Sequence, residues 1–429
     1  MGIFNNPALL ENLAKISTLI GVGFLLTFLI TPLVGYLAQK MGAVDLPASQ
    51  RKRGERGITT RIHSYPYAKL GGLGMVIVFL LIGILLPLEI EGVKQSLLSY
   101  LSQSSLQFFF IIVGVLIIAL LGFLDDVYEI SAPVQFGMQF LAALAVVLGG
   151  TTITSINLFG LNISLNWLPT YVFNLGNFEF SLILPGALIT ILWIVGVINV
   201  VNWVGGVDAL NGSVSSIMLF SLMVLILTTG NVGVAFLVAL YLGTVLGVLP
   251  YNWNPGKIMY GSIGDYLNGY ILAILAIIGG AKWGATMLVL GLPILDGLYV
   301  FYNRWKDNPK YRTNPIKLLS LSGYNHFHHR ILAAGYSKKM VVLIESTIVF
   351  LICTAVLFFS DINQEYYALI LGLAILLVSF TVIAFLMKRA AKNKKLRLAA
   401  QLLQEEDRRE AVVNVVLDAD KENEEKFIY

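Results

Sequence analysis

Cysteine, histidine and charge are all scarce in this chain, and each scarcity removes a class of function. Among 429 residues there is one cysteine, Cys353, and it lies inside an apolar run. A disulfide framework and a thiolate metal site are therefore excluded. Charged residues make up 13% of the chain and hydrophobic ones 57%. That is about half the charge of a typical soluble domain, which excludes a soluble two-domain enzyme. The formal net charge is only +4, and no nucleic-acid partner is expected. The N-terminal stretch lacks the charged region and small-residue cleavage site of a secretory signal. The run starting near Ile16 is read as the first permanent span.

The chain is instead rich in long apolar runs. Eleven segments stand out, at about 16–36, 70–90, 107–124, 134–150, 181–201, 214–229, 231–250, 267–280, 284–303, 340–359 and 365–387. Several fall short of the roughly 20 residues that span a bilayer core, so ten spans remain open. The runs are continuous rather than alternating, which predicts helices. The expected fold is an all-α integral membrane protein, a polytopic bundle of 10–11 transmembrane helices. Residues 151–180 alternate loosely around Gly160 and predict one short external β-hairpin. Residues 1–387 read as the transmembrane domain and 388–429 as a cytoplasmic tail.

Lysine and arginine orient the bundle. They crowd the loops from Lys40 to Lys69 and from Arg304 to Lys339, and the stretch from Lys388 to Arg397. Eleven spans place these three regions on one side. The reading is a multi-pass protein of the inner (plasma) membrane with the C-terminus cytoplasmic and the N-terminus outside.

Five polar clusters interrupt the apolar pattern, and the span count puts all of them on the cytoplasmic side. The sharpest is Leu121-Gly122-Phe123-Leu124-Asp125-Asp126, two carboxylates ending an apolar run. An ionised Asp at a helix centre costs about 2.5–3.5 kcal/mol, so this pair belongs at the water boundary. The others are Asp45-Leu46-Pro47 with the stretch Arg61 to Gly72, Asn199 to Gly212, Tyr260 to Tyr266, and His326 to Arg330. Three of the four histidines fall in that last cluster. An HxHH group can bind a transition metal, but beside Arg330 it fits anionic phosphate better. Asp125 and Asp126, with Asp208 and Asp265, suit a hard cation such as Mg²⁺ that shares its shell with substrate phosphates.

These clusters, in this order from about Thr31 to Val342, resemble the polyprenyl-phosphate N-acetylhexosamine-1-phosphate transferases of glycosyltransferase family 4. The resemblance implies transfer of a sugar-1-phosphate from a UDP-N-acetylhexosamine to polyprenyl (undecaprenyl) phosphate. UMP is released, Mg²⁺ (with Mn²⁺ as a substitute) is the cofactor, and cell-envelope glycan synthesis begins. Asp125, Asp126 and Gln139 are similar to the family's Asp-Asp motif. Asn199 and Asn202 match its Asn-x-x-Asn, Asp208 the second Asp that follows, and Asp296 a further family position. His326, His328, His329 and Arg330 resemble the branch using UDP-N-acetylglucosamine, whereas the muramoyl-pentapeptide branch follows its histidines with an acidic residue.

The resemblance therefore implies that Asp125 and Asp126 bind the metal and position or deprotonate the lipid phosphate. Asn199, Asn202 and Asp208 would hold the nucleotide, and His326, His328, His329 and Arg330 the pyrophosphate. Lys69 would meet the lipid phosphate, and a homodimer is compatible with the pattern.

Four positions depart from the family. Gly205 stands where an Asp is expected, and Gly261-Ser262-Ile263-Gly264-Asp265 exchanges the Asp and Ser of the metal motif. Gly323 replaces an Asp, and Arg61-Ile62-His63 replaces Lys-x-His. If 262–265 is the first turn of a helix, Ser262 and Asp265 share a face, and Asp265 reaches the metal from one turn away. If the segment is extended, the carboxylate is too far and metal affinity collapses. A non-catalytic homologue and a transporter are the rival readings. Against transport, the polar residues gather at one membrane face rather than at the midplane.

Overall fold

The computed structural model describes residues 7–46, 66–85, 105–158, 161–165, 167–168, 170–175, 178–280, 283–319, 321, 326–359 and 366–392. The basic stretch around Arg51–Arg56, Arg61 and His63, Gly323, and residues 393–429 lie outside them.

Every one of the eleven apolar segments contains helix. The long helices are α1 (Pro7–Lys40), α2 (Gly71–Leu80, continued as a π-helical turn Leu81–Leu85), α3 (Ser105–Tyr128), α4 (Ala132–Leu148) and α5 (Leu184–Asn202). There follow α6 (Leu210–Thr228), α7 (Val232–Asn252), α8 (Gly261–Ile278), α9 (Trp283–Val289) and α10 (Gly291–Asp307). The short α11 (Pro315–Leu319) and α12 (Phe327–Ala333) precede α13 (Lys338–Phe358) and α14 (Tyr366–Lys392).

Among the described residues, eight helices are long and apolar enough to cross a bilayer, or nine if α9 and α10 form one span bent by 70°. The π-continued α2 and α4 are shorter. The protein is thus a multi-pass membrane protein, with eleven spans as an approximate count. Pro293 explains the bend: it sits three residues into α10 and has no N–H for the preceding turn, so the helix breaks at Leu290.

α8 is the hub, packed against α2, α3 and α5. Glycines set these approaches. A Cβ on Gly72, Gly122 or Gly269 would come closer than 3.0 Å to the backbone of Gly264, Ile263 or Ile198 respectively. Between helices in lipid, close van der Waals contact replaces the hydrophobic effect as the driving force, so small residues belong here. A buried polar chain fixes the register. Tyr241 donates to Asn268 (2.8 Å), Asn268 to Asn211 (2.8 Å), and Asn211 to the Val201 carbonyl (2.8 Å).

Two hairpins form where one was expected. Ser155–Leu158 (β3) pairs with Leu161–Ser164 (β4), on either side of Gly160 in the sequence, and Thr170–Leu175 (β5) pairs with Phe178–Ile183 (β6). The second pair is joined in sequence by Gly176-Asn177 between two strand-forming runs, a two-residue hairpin signal. Ahead of α2, Val44–Asp45 (β1) pairs antiparallel with Tyr67–Ala68 (β2), and Ala68 bridges to Ile258. This small ladder carries Lys69 to the start of α8.

Candidate active site

The end of α3 meets the start of α8. Gly261 begins the helix at φ +69°, and a Cβ there would strike the Asp126 carboxylate. Only glycine meets both conditions. Asp126 then caps α8 from outside: Oδ1 accepts the Ser262 N–H (2.9 Å) and Oδ2 the Ile263 N–H (3.5 Å). A carboxylate at a helix N-terminus satisfies free N–H groups and is favoured by the helix dipole. Asp125 is held by three donors: Ser262 Oγ (2.7 Å) and Tyr266 OH (3.4 Å) on Oδ2, and Gln135 Nε2 (2.8 Å) on Oδ1. Lys69 Nζ donates to the Asp126 main-chain carbonyl (3.2 Å).

These groups wall a cavity of about 400 Å³. Of the residues expected from sequence, Asp125, Asp126, Asp265, Asn199, Asn202 and Lys69 all line it. Residues 262–265 are helical, so Ser262 and Asp265 sit one turn apart on the cavity side, as the first of the two alternatives required. Asp265 Oδ1 is buried without a hydrogen-bond partner. The Asn199 amide donates to Gln139 (2.6 Å) and to the Val195 carbonyl (2.8 Å), which leaves its carbonyl oxygen for a ligand.

The histidine cluster touches the 3₁₀ turn Trp203–Gly206 beside this cavity. His326 Nδ1 lies 2.9 Å from Asp296 Oδ2, and Asp296 Oδ1 accepts the Phe327 N–H (2.8 Å). The Trp203 ring, which lines the cavity, is 5.7 Å from that of His326. His328 packs on Gly206, with Nε2 buried and unpartnered. Burial, with His329 and His326 alongside, pushes the His328 pKa well down. Burial and His326 bring that of His329 to about 4, against an opposing pull from Asp296. Both rings are therefore neutral near pH 7, and the fixed charge is Arg330. Its guanidinium lies over Tyr299 (4.6 Å) and Phe380 (5.1 Å), with Nη1 buried and unpartnered.

Asp208 is not brought to the cavity. It accepts from Asn254 (2.7 Å) and pairs with Lys338 (3.6 Å). Among the described residues, no three His, Cys, Asp or Glu side chains converge as a ready-made metal site. The cavity also holds Glu129, Gln135 and Trp203, which sequence reasoning did not single out. Gln135 is a polar residue at the start of an apolar helix, and Glu129 follows the Asp pair at φ +50°. Both were weak but readable signals.

The family model described as glycosyl transferase family 4 matches residues 108–280, the stretch that carries Asp125, Asp126, Asn199, Asn202 and Asp265. A probable undecaprenyl-phosphate N-acetylglucosaminyl 1-phosphate transferase of Bacillus subtilis (strain 168) is 30% identical over 341 residues, 78% of this chain and 82% of the relative. The chain belongs to glycosyl transferase family 4. A decaprenyl-phosphate N-acetylglucosaminephosphotransferase of Mycobacterium leprae (strain TN) is 26% identical, over 85% of this chain and 89% of its own. A phospho-N-acetylmuramoyl-pentapeptide-transferase of Streptococcus pyogenes serotype M5 (strain Manfredo) is 28% identical over 52% of this chain and 65% of its own.

In this family 4 chain a second, apolar groove of about 760 Å³ abuts the polar cavity. The two share Phe136, Asn199, Trp203 and Leu319. Both limbs of the bent pair α9 and α10 line the groove, with α5 opposite.

Proposed function

We propose that this chain transfers N-acetylhexosamine-1-phosphate from a UDP-sugar to a polyprenyl phosphate, releasing UMP on the cytoplasmic side of the membrane. The observation that carries this reading is the shared wall: a carboxylate-lined cavity and an apolar groove meet at Phe136, Asn199, Trp203 and Leu319. A ligand with a phosphate head and a long hydrocarbon tail fits across that wall. The relatives named for undecaprenyl- and decaprenyl-phosphate acceptors support the same substrate class.

In the reaction, an oxygen of the polyprenyl phosphate attacks the phosphorus bearing the sugar, and the bond from that phosphorus to UMP breaks. Asp125, fixed by three donors, faces the acceptor phosphate and takes its proton if it carries one. Asp126 orders the α8 N-terminus, and Lys69, tethered to the Asp126 carbonyl, offers its charge to the phosphate head. Asn199 and Asn202 line the nucleotide side. Arg330 is the fixed positive charge of the histidine cluster and Arg304, over the Trp203 ring at 5.8 Å, that of the 203–206 turn, both placed for the donor's diphosphate, and His326 is oriented by Asp296.

The residues present fit a divalent cation. Asp125, Asp126 and Asp265 bring three carboxylates to one wall of the cavity, where a diphosphate needs a cation between itself and them. Mg²⁺ typically takes one or two protein carboxylates and fills its shell with phosphate and water. Asp265, with its unpartnered buried oxygen, and Asp126 would hold it. When bound, the cation neutralises charge on the transferring and leaving phosphates.

The test is UMP release by detergent-purified protein given undecaprenyl phosphate and a panel of UDP-N-acetylhexosamines, with Mg²⁺ or EDTA. Release with Mg²⁺ that stops in EDTA is expected. Folded protein that binds UDP-sugar yet releases no UMP with any donor would instead identify a non-catalytic family member.

A further inference from the structure

The 3₁₀ turn Trp203–Gly206 presents two consecutive glycines, and each faces a different functional group. A Cβ on Gly206 would meet the His328 imidazole, and one on Gly205 would overlap the carboxylate of Asp265, closer than 3.0 Å to its nearer oxygen. Neither glycine has a positive φ. The backbone therefore does not require glycine at 205, and the present seat of the Asp265 carboxylate does. Asp265 fills the volume that any residue 205 side chain would need, although two whole helices, α6 and α7, separate the positions in sequence.

The first turn of α8 divides its tasks around this contact. Ser262 directs its hydroxyl to Asp125 (2.7 Å) and its N–H to Asp126 (2.9 Å), so it makes no demand on Asp265. Asp265 lines the cavity with Oδ1 buried and unpartnered. A buried carboxylate oxygen left without a donor is costly, and such groups persist where a ligand supplies the missing partner.

We propose that Gly205 and Asp265 form an interlocked pair, in which the gap at 205 seats the Asp265 carboxylate as the cavity's ligand for a divalent cation. This rests on the metal-dependent transferase reading. The carboxylate can project into the cavity from either position, but the two side chains exclude each other. Gly205 is thus a positioning residue that acts through Asp265.

The test is a steric and charge exchange followed by two readouts, Mn²⁺ binding by electron paramagnetic resonance in the presence of UDP, and thermal unfolding. Asp265→Asn keeps the volume and should keep the melting temperature while weakening Mn²⁺ by at least about tenfold, the loss that even an outer-shell partner brings. Gly205→Asp alone should weaken Mn²⁺ similarly, because the crowded Asp265 is displaced. The double variant Gly205→Asp/Asp265→Gly should recover most of the wild-type affinity. Gly205→Ala should lower the melting temperature with Asp265 present and leave it unchanged in an Asp265→Gly background.

A double variant no tighter than Gly205→Asp alone, or Gly205→Ala equally destabilising in both backgrounds, overturns the pairing even if the wild type binds Mn²⁺ and releases UMP. Unaltered Mn²⁺ binding in Asp265→Asn removes Asp265 as the ligand. A wild type that binds no Mn²⁺ overturns the ligand role, while failure of the transferase reading shows separately, as absence of UMP release.

Discussion

Two helix N-termini flank the turn at 203–206, and both are capped by a carboxylate borrowed from another helix. At α8, Asp126 of α3 accepts the Ser262 and Ile263 N–H groups. At α12, Asp296 of α10 accepts the Phe327 N–H and holds His326. Their residues differ in what they leave unsatisfied. At α8 the open atom is an acceptor, Asp265 Oδ1, whereas at α12 the open atoms are His328 Nε2 and Arg330 Nη1. The α8 end offers an acceptor and the α12 end a cationic donor. On the proposed reading, a ligand that brings a metal ion and a diphosphate together satisfies both, with the 203–206 turn between them.

That contrast can be broken at either helix. The largest effect belongs to Asp126→Ala, which removes the α8 cap and a carboxylate of the cavity together. UMP release should fall by about 10³-fold, as when a preorganised electrostatic group is lost, with a lower melting temperature. Activity within a few-fold of wild type would disprove the α8 side of the comparison. Asp296→Ala comes next. It strands the Phe327 N–H and frees the His326 ring, at a cost of about 1–3 kcal/mol in stability. Because no carboxylate is lost from the cavity, kcat/KM should drop while Mn²⁺ affinity holds; a parallel loss of Mn²⁺ would make the α8 and α12 ends a single unit.

Arg330→Lys keeps the charge but gives up the planar fork and its stacking on Tyr299 and Phe380. The KM for UDP-sugar should rise by about tenfold with little change for the lipid, measured by varying each substrate in turn. An equal rise in both would place Arg330 outside the donor site.

The smallest effect is on pH. His329 is held near pKa 4, below the roughly 6.5 of an unfolded histidine. Between those values the unfolded chain binds a proton that the folded chain does not, so stability rises with pH across that window. Its contribution is complete above about pH 6.5 and lost as pH falls towards 4. His329→Gln should flatten that portion of the melting temperature against pH; an unchanged slope would show that the ring is not held neutral by its surroundings.

The spans were legible because continuous apolar runs have one solution in lipid, and the α3–α8 residues because ionisable groups at run ends demand a reason. The break at Leu290 was signalled by Pro293, which kinks or ends a helix, but the continuous apolar run 284–303 reads as one span and masks it. Asp208 was not legible in its placement either. It lies six residues from Asn202 in sequence, yet the 3₁₀ turn and Ala209 at φ +65° direct it to Asn254 and Lys338. The second hairpin was hidden in a stretch read as the flank of one turn. The contact between Gly205 and Asp265 depends on how α5 and α8 cross at Gly269 and Ile198, which only the packed structure reveals.

The apolar groove has one more consequence. Its lining includes Leu192, Leu298 and Leu373, which are 63%, 59% and 47% exposed and so belong to the lipid-facing belt. On the proposed reading, an acceptor arriving there comes by lateral diffusion within the leaflet and never crosses bulk water. Its effective concentration is then a surface density. Saturation should follow the mole fraction of polyprenyl phosphate among the bilayer lipids, so adding inert lipid at constant total acceptor slows the enzyme by dilution in two dimensions.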